Sequence, residues 1–316
     1  MAGSDALGMA TAHDIRGPLS AVDRESIWLN SAPLTAKELR GRVVLVDFWT
    51  YSCVNWLRTL PYVRAWAAKY EDRGLVVVGP HSPEFGFEHD LGNVRRAARE
   101  LEVGYPVVID NDFRVWSSFG NRYWPAVYLV DRDGRVRWRH FGEGAYTEIE
   151  RAIQLLLGVD EETVRVRADG AAQAADWDTL RSPETYVGEA RGERRSHSGA
   201  AGLALDHWAL TGEWSVGQEA AVLEASPGSI AYRVHARDLN LVLAPPPSGV
   251  SPRFVVSVDG RPPGDAHGVD VDASGAGAVA QPRMYQLIRQ SGPVVERRFE
   301  MTFLDPGVRV YVFTFG

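Results

Sequence analysis

The chain has 316 residues, which predicts two domains because single domains cluster around ~100–150 residues. Of these residues 45% are hydrophobic and 24% charged, a composition typical of a globular protein. The formal net charge of -7 provides no basic excess to neutralise phosphates and argues against nucleic acid as the main partner. The single cysteine excludes an internal disulfide and a cysteine-rich metal site.

The amino terminus bears on localisation. MAGSDALGMATAHDIRGPLS has no basic segment followed by an apolar stretch, so it does not resemble a signal peptide. No run in the chain approaches the ~20 apolar residues of a membrane helix. We therefore expect a soluble, cytoplasmic chain as written, or an extracytoplasmic one if it was trimmed from a membrane-anchored parent.

The first half alternates predicted strands and helices. RVVLVDFW (42–49) and LVVVG (75–79) are apolar runs typical of strands buried on both faces. PAVYLV (125–130) is a further strand, and the turn DRDG joins it to RVRWRHFG in a hairpin. This order predicts a central sheet with parallel members and an antiparallel edge. Apolar spacing predicts helices over 55–71, which contains Pro61, over 91–101 and over 146–157.

The composition changes after the last of these helices. Residues 159–204 are rich in Ala, Gly and charge and are predicted to be a linker, with a more ordered middle at SPETYVG. From Trp208 onward the hydrophobic period is two, which predicts an antiparallel β-sandwich of roughly eight strands. We therefore divide the chain into an N-terminal extension (1–26), an α/β domain (27–158), the linker (159–204) and an all-β sandwich without catalytic residues (205–316).

The single cysteine lies where a buried strand ends and a helix begins. In VDFWTYSCVNW, Cys53 follows the strand and precedes the predicted helix. The free N–H groups and partial positive charge at a helix amino terminus favour the thiolate over the thiol. Cys53 is therefore a candidate nucleophile, and the alternative is a cysteine buried as a small hydrophobic residue.

The motifs around Cys53 resemble the active-site segment of the thioredoxin superfamily. VDFW precedes Cys53, Pro61 follows eight residues later, and YWPAVYLV is similar to the cis-proline strand. The extra residues 80–122 resemble the insertion of TlpA-type redoxins and peroxiredoxins. FWTYSCVNWLRTLPYVRAW, HSPEF and NRYWPA are similar to the soluble redoxin portion of DipZ-type proteins. This resemblance implies a thioredoxin-like α/β fold followed by a jelly-roll sandwich similar to a carbohydrate-binding module.

The resemblance also implies roles for residues near Cys53. Pro125 matches the cis-proline, whose loop faces the nucleophile and pairs with the substrate backbone. Asp47 matches a buried acid that assists proton transfer, with an ordinary strand residue as the alternative. Trp49 matches an aromatic residue that packs beside the site. Thr50 has the spacing of the peroxiredoxin T-x-x-C, in which the hydroxyl bonds the attacking sulfur or the peroxide.

Trp56 stands where a two-cysteine redoxin has its second, resolving cysteine. Release of a mixed disulfide would then need a thiol from outside the chain. Because residues three apart on a helix share a face, we expect the Trp56 indole to cover one side of Cys53.

Further side chains are candidates for binding substrate. His81 and Glu84 follow the second strand in GPHSPEF, His81 as a base or thiolate partner, with an ordinary loop residue as the alternative for each. Tyr51 and Trp124, with Trp56, form a possible apolar platform for a partner peptide. In the sandwich, four aromatic residues are either core residues or platforms for a glycan: Trp208, Trp214, Tyr232 and Tyr285.

Two classes of function are compatible with these residues. The first is an enzyme that performs thiol–disulfide exchange through Cys53 on a peptide or disulfide substrate, with glutathione, another small thiol or a redox protein as reductant. Its variant is an antioxidant thiol-dependent peroxidase, in which Cys53 becomes a sulfenic acid. The peroxiredoxin proline is replaced by Val46, and Arg58 and Arg122 are only candidates for an activating arginine.

The second class is a non-catalytic binding protein on a redoxin scaffold. The loss of the second cysteine is its main support. The histidines lack metal-ligand spacing and no G-x-G-x-x-G follows a strand, so we expect neither a metal nor a cofactor. Of the two classes we favour the enzyme.

Overall fold

The structure is a computed structural model that describes residues 18–22, 26–197 and 199–316. These residues divide into two compact units, with the boundary between Ala168 and Asp169. Most of the predicted N-terminal extension (1–26) lies outside the described residues. Leu19 and Val22, which are described, are buried in the core of the first unit.

The first unit is a sheet with helices on it. Among the described residues its strands are β1 (Trp28–Leu29), β2 (Val43–Phe48), β3 (Leu75–His81), β4 (Val107–Ile109), β5 (Ala126–Val130) and β6 (Val136–Phe141). Its helices are α1 (Ala36–Leu39), α2 (Val54–Tyr70), α3 (Leu91–Glu100), α4 (Arg114–Ser118) and α5 (Tyr146–Leu157).

The order of these strands is that of a thioredoxin-like sheet. It runs β1-β4-β3-β2-β5-β6, with β2, β3 and β4 parallel to one another. β5 and β6 form the antiparallel hairpin at one edge, and β1 pairs antiparallel with β4 at the other. The prediction of a thioredoxin-like α/β fold is confirmed.

Strand β2 is central, and its burial follows from its sequence. All six residues of VVLVDF are buried, because β3 and β5 flank the strand and other elements cover both faces of the sheet. The strand carries Asp47 into the interior and ends just before the turn that leads to Cys53. Helix α2 begins after this turn and continues through Pro61 without a break.

The second unit is one large antiparallel sheet with a sandwich-like core. Among the described residues its strand order is β12-β11-β14-β9-β15-β10-β13, with β7 on β15 and β8 on β9. These strands are β7 (Thr185–Tyr186), β8 (Trp208–Val216), β9 (Ala221–Val234), β10 (Asp238–Ala244), β11 (Arg253–Val258), β12 (Ala276–Ala278), β13 (Arg283–Arg289), β14 (Arg297–Phe303) and β15 (Arg309–Phe315).

The segment 159–204, expected to be a linker, is divided between the two units. Its first ten residues belong to the first unit, and the rest belong to the second. Strand β7 lies within SPETYVG, where the sequence already indicated more order, and Val187 joins the core of the sheet. None of the helices formed by the described residues is long and apolar enough to span a membrane.

Candidate active site

Cys53 is the residue that caps the amino terminus of helix α2. Its φ of -77° and ψ of 114° are extended, and its carbonyl oxygen accepts the Leu57 N–H at 3.0 Å. The residue is partly exposed and its thiol is not in a disulfide. The thiol donates to the Trp124 carbonyl oxygen at 3.8 Å, and the Trp124–Pro125 peptide bond is cis, as the sequence predicted. The structure therefore brings Cys53, the start of α2 and the cis-proline loop together.

Several contacts fix Trp124, which forms the wall opposite Cys53. Its indole N–H donates to the Ser82 carbonyl oxygen at 3.0 Å, and its ring packs on Trp116 with centroids 4.4 Å apart. The Ser82 hydroxyl donates to Asp110 Oδ2 at 3.0 Å. The same carboxyl accepts the Trp116 N–H at 2.9 Å, so the wall is tied to the start of α4.

Asp47 lies under this site as a buried acid. Its Oδ2 accepts the Trp56 indole N–H at 3.0 Å and the Tyr105 hydroxyl at 3.0 Å. Among the described residues no group hydrogen-bonds to its Oδ1. Burial raises the pKa of Asp47 to about 7, against the opposing effect of the Trp56 and Tyr105 hydrogen bonds.

Trp56 is turned to the interior rather than to the solvent side of Cys53. It is fully buried, and its ring stacks on Trp49 with centroids 4.3 Å apart. The expected shared face depended on helical geometry at both residues, but the backbone of Cys53 is extended. The indole therefore binds Asp47 at the position where a two-cysteine redoxin has a thiol.

His81 is a neutral core residue. Its ring lies edge-on to Trp49 with centroids 4.8 Å apart and stacks with Tyr51 at 5.7 Å. Neither ring nitrogen hydrogen-bonds to another of the described residues. Burial lowers the pKa of His81 to about 3. The structure therefore gives no support to His81 as a base or a thiolate partner.

The residues predicted to bind substrate fall into two groups, one partly exposed and one buried. Trp124 and Glu84 keep part of their surface exposed. The buried members stand behind the site, where they do not reach a substrate in this conformation: Trp49, Tyr51, Trp56 and His81. Thr50 is also buried, and its carbonyl oxygen accepts the Cys53 N–H at 3.3 Å.

Glu88 is a second buried acid near the site, and it is not among the residues predicted from the sequence. Its Oε1 accepts the Ser52 hydroxyl at 2.6 Å, and its Oε2 accepts the N–H groups of Glu84 and Phe85 at 2.6 and 3.0 Å. Burial, and then the charge of Glu84, raise the pKa of Glu88 to about 7. Glu88 lies three residues beyond the motif HSPEF that supported the family resemblance, and no pattern in the sequence marks it.

Arg58, a candidate for an activating arginine, is held in a buried ion pair. Its guanidinium lies 2.8 Å from Glu143 Oε1, and both side chains are at least nine-tenths buried. Next to Glu143, the Gly142 N–H donates to the Pro125 carbonyl oxygen at 2.8 Å. The pair therefore joins helix α2 to the turn that supports the cis-proline. Arg122, the other candidate, is exposed.

In the second unit, the aromatic residues considered for glycan binding are mainly core residues. Trp208, Tyr232 and Tyr285 are buried. Trp214 is partly buried and lies edge-on to Phe303, with centroids 5.9 Å apart. Across the described residues, no group of three or more His, Cys, Asp or Glu side chains could hold a metal ion.

Comparison with known proteins gives matches in both units. Residues 22–139 match the AhpC/TSA family, and residues 182–316 match a family described as the thioredoxin-like C-terminal domain. The chain is 36% identical to protein DipZ of Mycobacterium tuberculosis over 251 residues, which are 74% of this chain and 35% of DipZ. The chain therefore spans about a third of the length of DipZ.

A shorter relative is covered almost completely. The thiol-disulfide oxidoreductase YkuV of Bacillus subtilis is 30% identical over 148 residues, which are 46% of this chain and 99% of YkuV. Among solved structures, a thiol-disulfide isomerase from Corynebacterium glutamicum is 22% identical, with a TM-score of 0.41 over 46% of this chain and 99% of that one.

The fold and the thiol at the start of α2 define a thioredoxin-like redoxin. With YkuV covered over 99% of its length at 30% identity, the chain belongs to the thioredoxin-like thiol-disulfide oxidoreductase family. Relatives in this family carry the name thiol-disulfide oxidoreductase, among them ResA of Bacillus cereus, which is 23% identical over 126 residues, 40% of this chain and 70% of ResA.

Proposed function

We propose that this chain carries out thiol–disulfide exchange with Cys53 as its single nucleophile and an external thiol as the resolving partner. The observation that carries the proposal is the partly exposed Cys53 thiol at the start of α2, 3.8 Å from the Trp124 carbonyl oxygen. Trp56 fills the position of a second thiol, so the chain cannot resolve a mixed disulfide by itself.

The reaction proceeds in two exchanges. The Cys53 thiolate attacks one sulfur of a substrate disulfide, the substrate S–S bond breaks, and the other sulfur leaves as a thiolate that takes up a proton. An external thiolate then attacks the substrate sulfur of the mixed disulfide and releases the Cys53 thiolate. The products are a free Cys53 thiolate and a new disulfide between the external thiol and the substrate sulfur that had been attached to Cys53. Membership of the family implies thiol or redox-protein partners for these steps.

The neighbouring residues have supporting roles in this proposal. The cis-proline loop at Trp124 and Pro125 would present backbone groups to the substrate opposite the sulfur. Asp47, with its pKa raised to about 7, would take up or release the proton that accompanies each exchange. Glu84 and Trp124 keep exposed surface from which to contact a substrate.

Incubation with glutathione disulfide tests this proposal. We expect one glutathione per chain, attached to Cys53 by mass spectrometry of peptides, and its release by added free glutathione. The Cys53→Ser variant is the control and should remain unmodified. A parent chain that gains no glutathione at tenfold excess of the disulfide would exclude the exchange reaction.

Peroxide reduction is a second candidate. Its support is the match of residues 22–139 to the AhpC/TSA family and the T-x-x-C spacing of Thr50 and Cys53. Against it, the Arg58 guanidinium is engaged by Glu143 in a buried ion pair. Treatment with one equivalent of hydrogen peroxide and dimedone, which labels sulfenic acids, separates the two reactions.

A further inference from the structure

The segment after strand β3 touches both sides of Cys53. On one side, the Ser82 carbonyl oxygen accepts the indole N–H of Trp124 at 3.0 Å, and the Trp124 carbonyl oxygen faces the thiol. On the other side, Glu88 accepts the hydroxyl of Ser52, the residue immediately before Cys53, at 2.6 Å. Residues 82–88 therefore connect the cis-proline loop, which contacts the sulfur, to the residue that precedes Cys53.

Both oxygens of the Glu88 carboxyl are used in this bridge. Oε2 accepts the N–H groups of Glu84 and Phe85, which fixes the carboxyl to its own segment. Oε1 is directed at Ser52, which fixes the segment to the active-site turn. Glu88 and Ser52 are both almost fully buried. Burying a carboxyl costs free energy unless hydrogen bonds compensate, and here those bonds connect the turn that holds Cys53.

We propose that Glu88 is a positioning residue for Cys53. Through Ser52, Glu88 fixes the backbone immediately before Cys53, while Ser82 of the same segment fixes Trp124. The two contacts together set the distance between the Cys53 sulfur and the cis-proline loop. This inference rests on the proposed exchange reaction, in which the sulfur must approach a substrate disulfide held at that loop. Asp47 does not supply this function, because its Oδ2 is engaged by Trp56 and Tyr105.

The consequence is that Ser52 and Glu88 act as one unit. Ser52→Ala and Glu88→Ala each remove the link, so each should slow reaction of Cys53 by about tenfold, since misplacing a reacting group costs this much or more. The double variant should be no slower than the slower single variant, because the link can be lost only once. Ser52→Thr retains a hydroxyl donor, and Glu88→Gln retains an acceptor for the backbone N–H groups and a polar contact to Ser52. Both conservative variants should react within about threefold of the parent.

The experiment measures two rates at one pH on the full chain: glutathionylation of Cys53 by glutathione disulfide, and its alkylation by iodoacetamide. Glu71→Ala is the matched control, because Glu71 is an exposed carboxylate about 27 Å from Cys53 along helix α2. Thermal unfolding followed by circular dichroism establishes that each variant is folded. Should Glu88→Ala fail to fold, Ser52→Ala and Ser52→Thr still decide the question.

Three results together support the proposal. Both alanine variants react about tenfold more slowly than the parent, and the double variant is no slower than the slower of the two. The conservative variants react within about threefold of the parent. Rates of the alanine variants within twofold of the parent overturn it. So do multiplicative effects, or conservative variants as slow as the alanine variants. If the parent chain forms no glutathione adduct, the exchange reaction fails as a function, and the alkylation rates still decide the role of Glu88.

Discussion

Trp56 replaces the resolving thiol of a two-cysteine redoxin with a hydrogen-bond donor for a buried acid. The indole N–H binds Asp47 and the ring stacks on Trp49, so the large side chain fills the interior beneath the turn that carries Cys53. A buried carboxyl without such donors would be costly. The indole therefore supplies one of the two hydrogen bonds that Asp47 Oδ2 accepts, and the Tyr105 hydroxyl supplies the other.

The variant Trp56→Cys should give the chain a dithiol site. Asp47, the start of α2 and the cis-proline loop are all present, so a thiol at position 56 can attack a mixed disulfide at Cys53. Loss of the buried indole should also destabilise the fold by about 3 kcal/mol, as for other large-to-small changes in a core. The measurements are reduction of insulin by dithiothreitol with catalytic amounts of protein, and unfolding in urea.

Trp56→Ser is the matched control, because it leaves a similar cavity without a thiol. We expect both variants to be destabilised and only the cysteine variant to accelerate insulin reduction. Equal insulin reduction by the two variants would show that the redox frame around Cys53 has not been retained.

His81 should make the stability of the chain depend on pH. Its pKa is lowered from 6.5 to about 3 by burial, so below pH 6.5 the unfolded chain takes up a proton that the folded chain does not. Stability is therefore lost as the pH falls from about 6.5 toward 3, and the loss at pH 5.5 is about 1.4 kcal/mol. His81→Phe retains a ring between Trp49 and Tyr51 and should remove this loss.

Unfolding in urea at pH 7.5 and pH 5.5 measures the effect as the difference between parent and variant. Burial raises the pKa of both Asp47 and Glu88 to about 7, so their contribution runs in the opposite sense and falls as the pH rises. Taking the difference at each pH cancels that contribution. A difference between His81→Phe and the parent that is the same at both pH values would contradict a neutral, buried His81.

Some of these site residues could be identified from the sequence and others could not. Cys53, Asp47 and Pro125 stand at fixed offsets within two short motifs, and the structure places the motifs together. Glu88 and Ser52 are 36 residues apart, and their hydrogen bond depends on how β3 leads into the following turn. No local pattern encodes that contact. The contacts of Trp56 with Asp47 and Trp49 likewise depend on how helix α2 packs on the sheet.

At the level of elements, helix α2 is joined to the sheet at its active-site end. Arg58 lies in its second turn and pairs with Glu143, in the turn after β6, and the neighbouring Gly142 donates to the Pro125 carbonyl oxygen. The ion pair thus holds the helix that begins at Cys53 against the loop that faces the sulfur. Burial raises the pKa of Glu143, and the charge of Arg58 opposes this rise.

Removing one member of this pair should be costly. Arg58→Met leaves the Glu143 carboxyl buried without its counter-ion, which should destabilise the chain by about 3–5 kcal/mol. The double variant Arg58→Met/Glu143→Leu removes both charges and should regain most of that loss. Unfolding in urea followed by tryptophan fluorescence gives both values. A double variant less stable than either single variant would show that the pair is not the source of the effect.

The elements themselves were largely predictable, because their patterns are local. The helix predicted over 146–157 is found with the same bounds, and the hairpin around DRDG is found with each strand one or two residues shorter than predicted. Gly134 at φ +84° closes its turn as the sequence indicates. Helix α2 continues through Pro61, as the prediction of one helix over 55–71 requires. Packing of the helix on the sheet keeps it continuous where propensity alone disfavours it.

On the scale of the whole molecule, the first unit extends past its last helix. Glu150 on α5 is buried and accepts the Trp66 indole, the Tyr70 hydroxyl and the Val164 N–H. Lys69 also donates to it at 3.0 Å. Burial alone would raise the pKa of Glu150, but these hydrogen bonds outweigh it and lower the pKa. The carboxylate therefore ties the chain around residue 164 to the helices of the first unit.

This contact explains why the first unit extends to Ala168, ten residues past the predicted boundary at residue 158. The predicted boundary follows the end of the helical pattern and the change in composition. The residues that follow have no periodic pattern and are held by a buried carboxylate on α5, which only the folded chain brings into range.

The division of the molecule gives a last prediction about its two units. A truncated chain of residues 1–168 should fold alone, because it retains the whole sheet, the five described helices and the Glu150 contacts. A chain of residues 1–158 lacks the Val164 N–H and the Glu161 carbonyl oxygen, which accepts from Gln154 at 2.9 Å. Leaving these buried groups with fewer partners should lower the free energy of unfolding by about 1–3 kcal/mol.

Unfolding in urea compares the two truncated chains, and Glu150→Gln is introduced into each of them. Glu150→Gln should lower the free energy of unfolding more in 1–168 than in 1–158. The shorter chain has already lost the Val164 N–H, from which the Glu150 carboxylate accepts a hydrogen bond. Glutathionylation of Cys53 should be retained in 1–168, since every residue placed around the sulfur lies in that unit. Equal stability of the two chains would show that residues 159–168 are not part of the folded unit. Loss of the Cys53 reaction in a folded 1–168 would show that the second unit contributes to it.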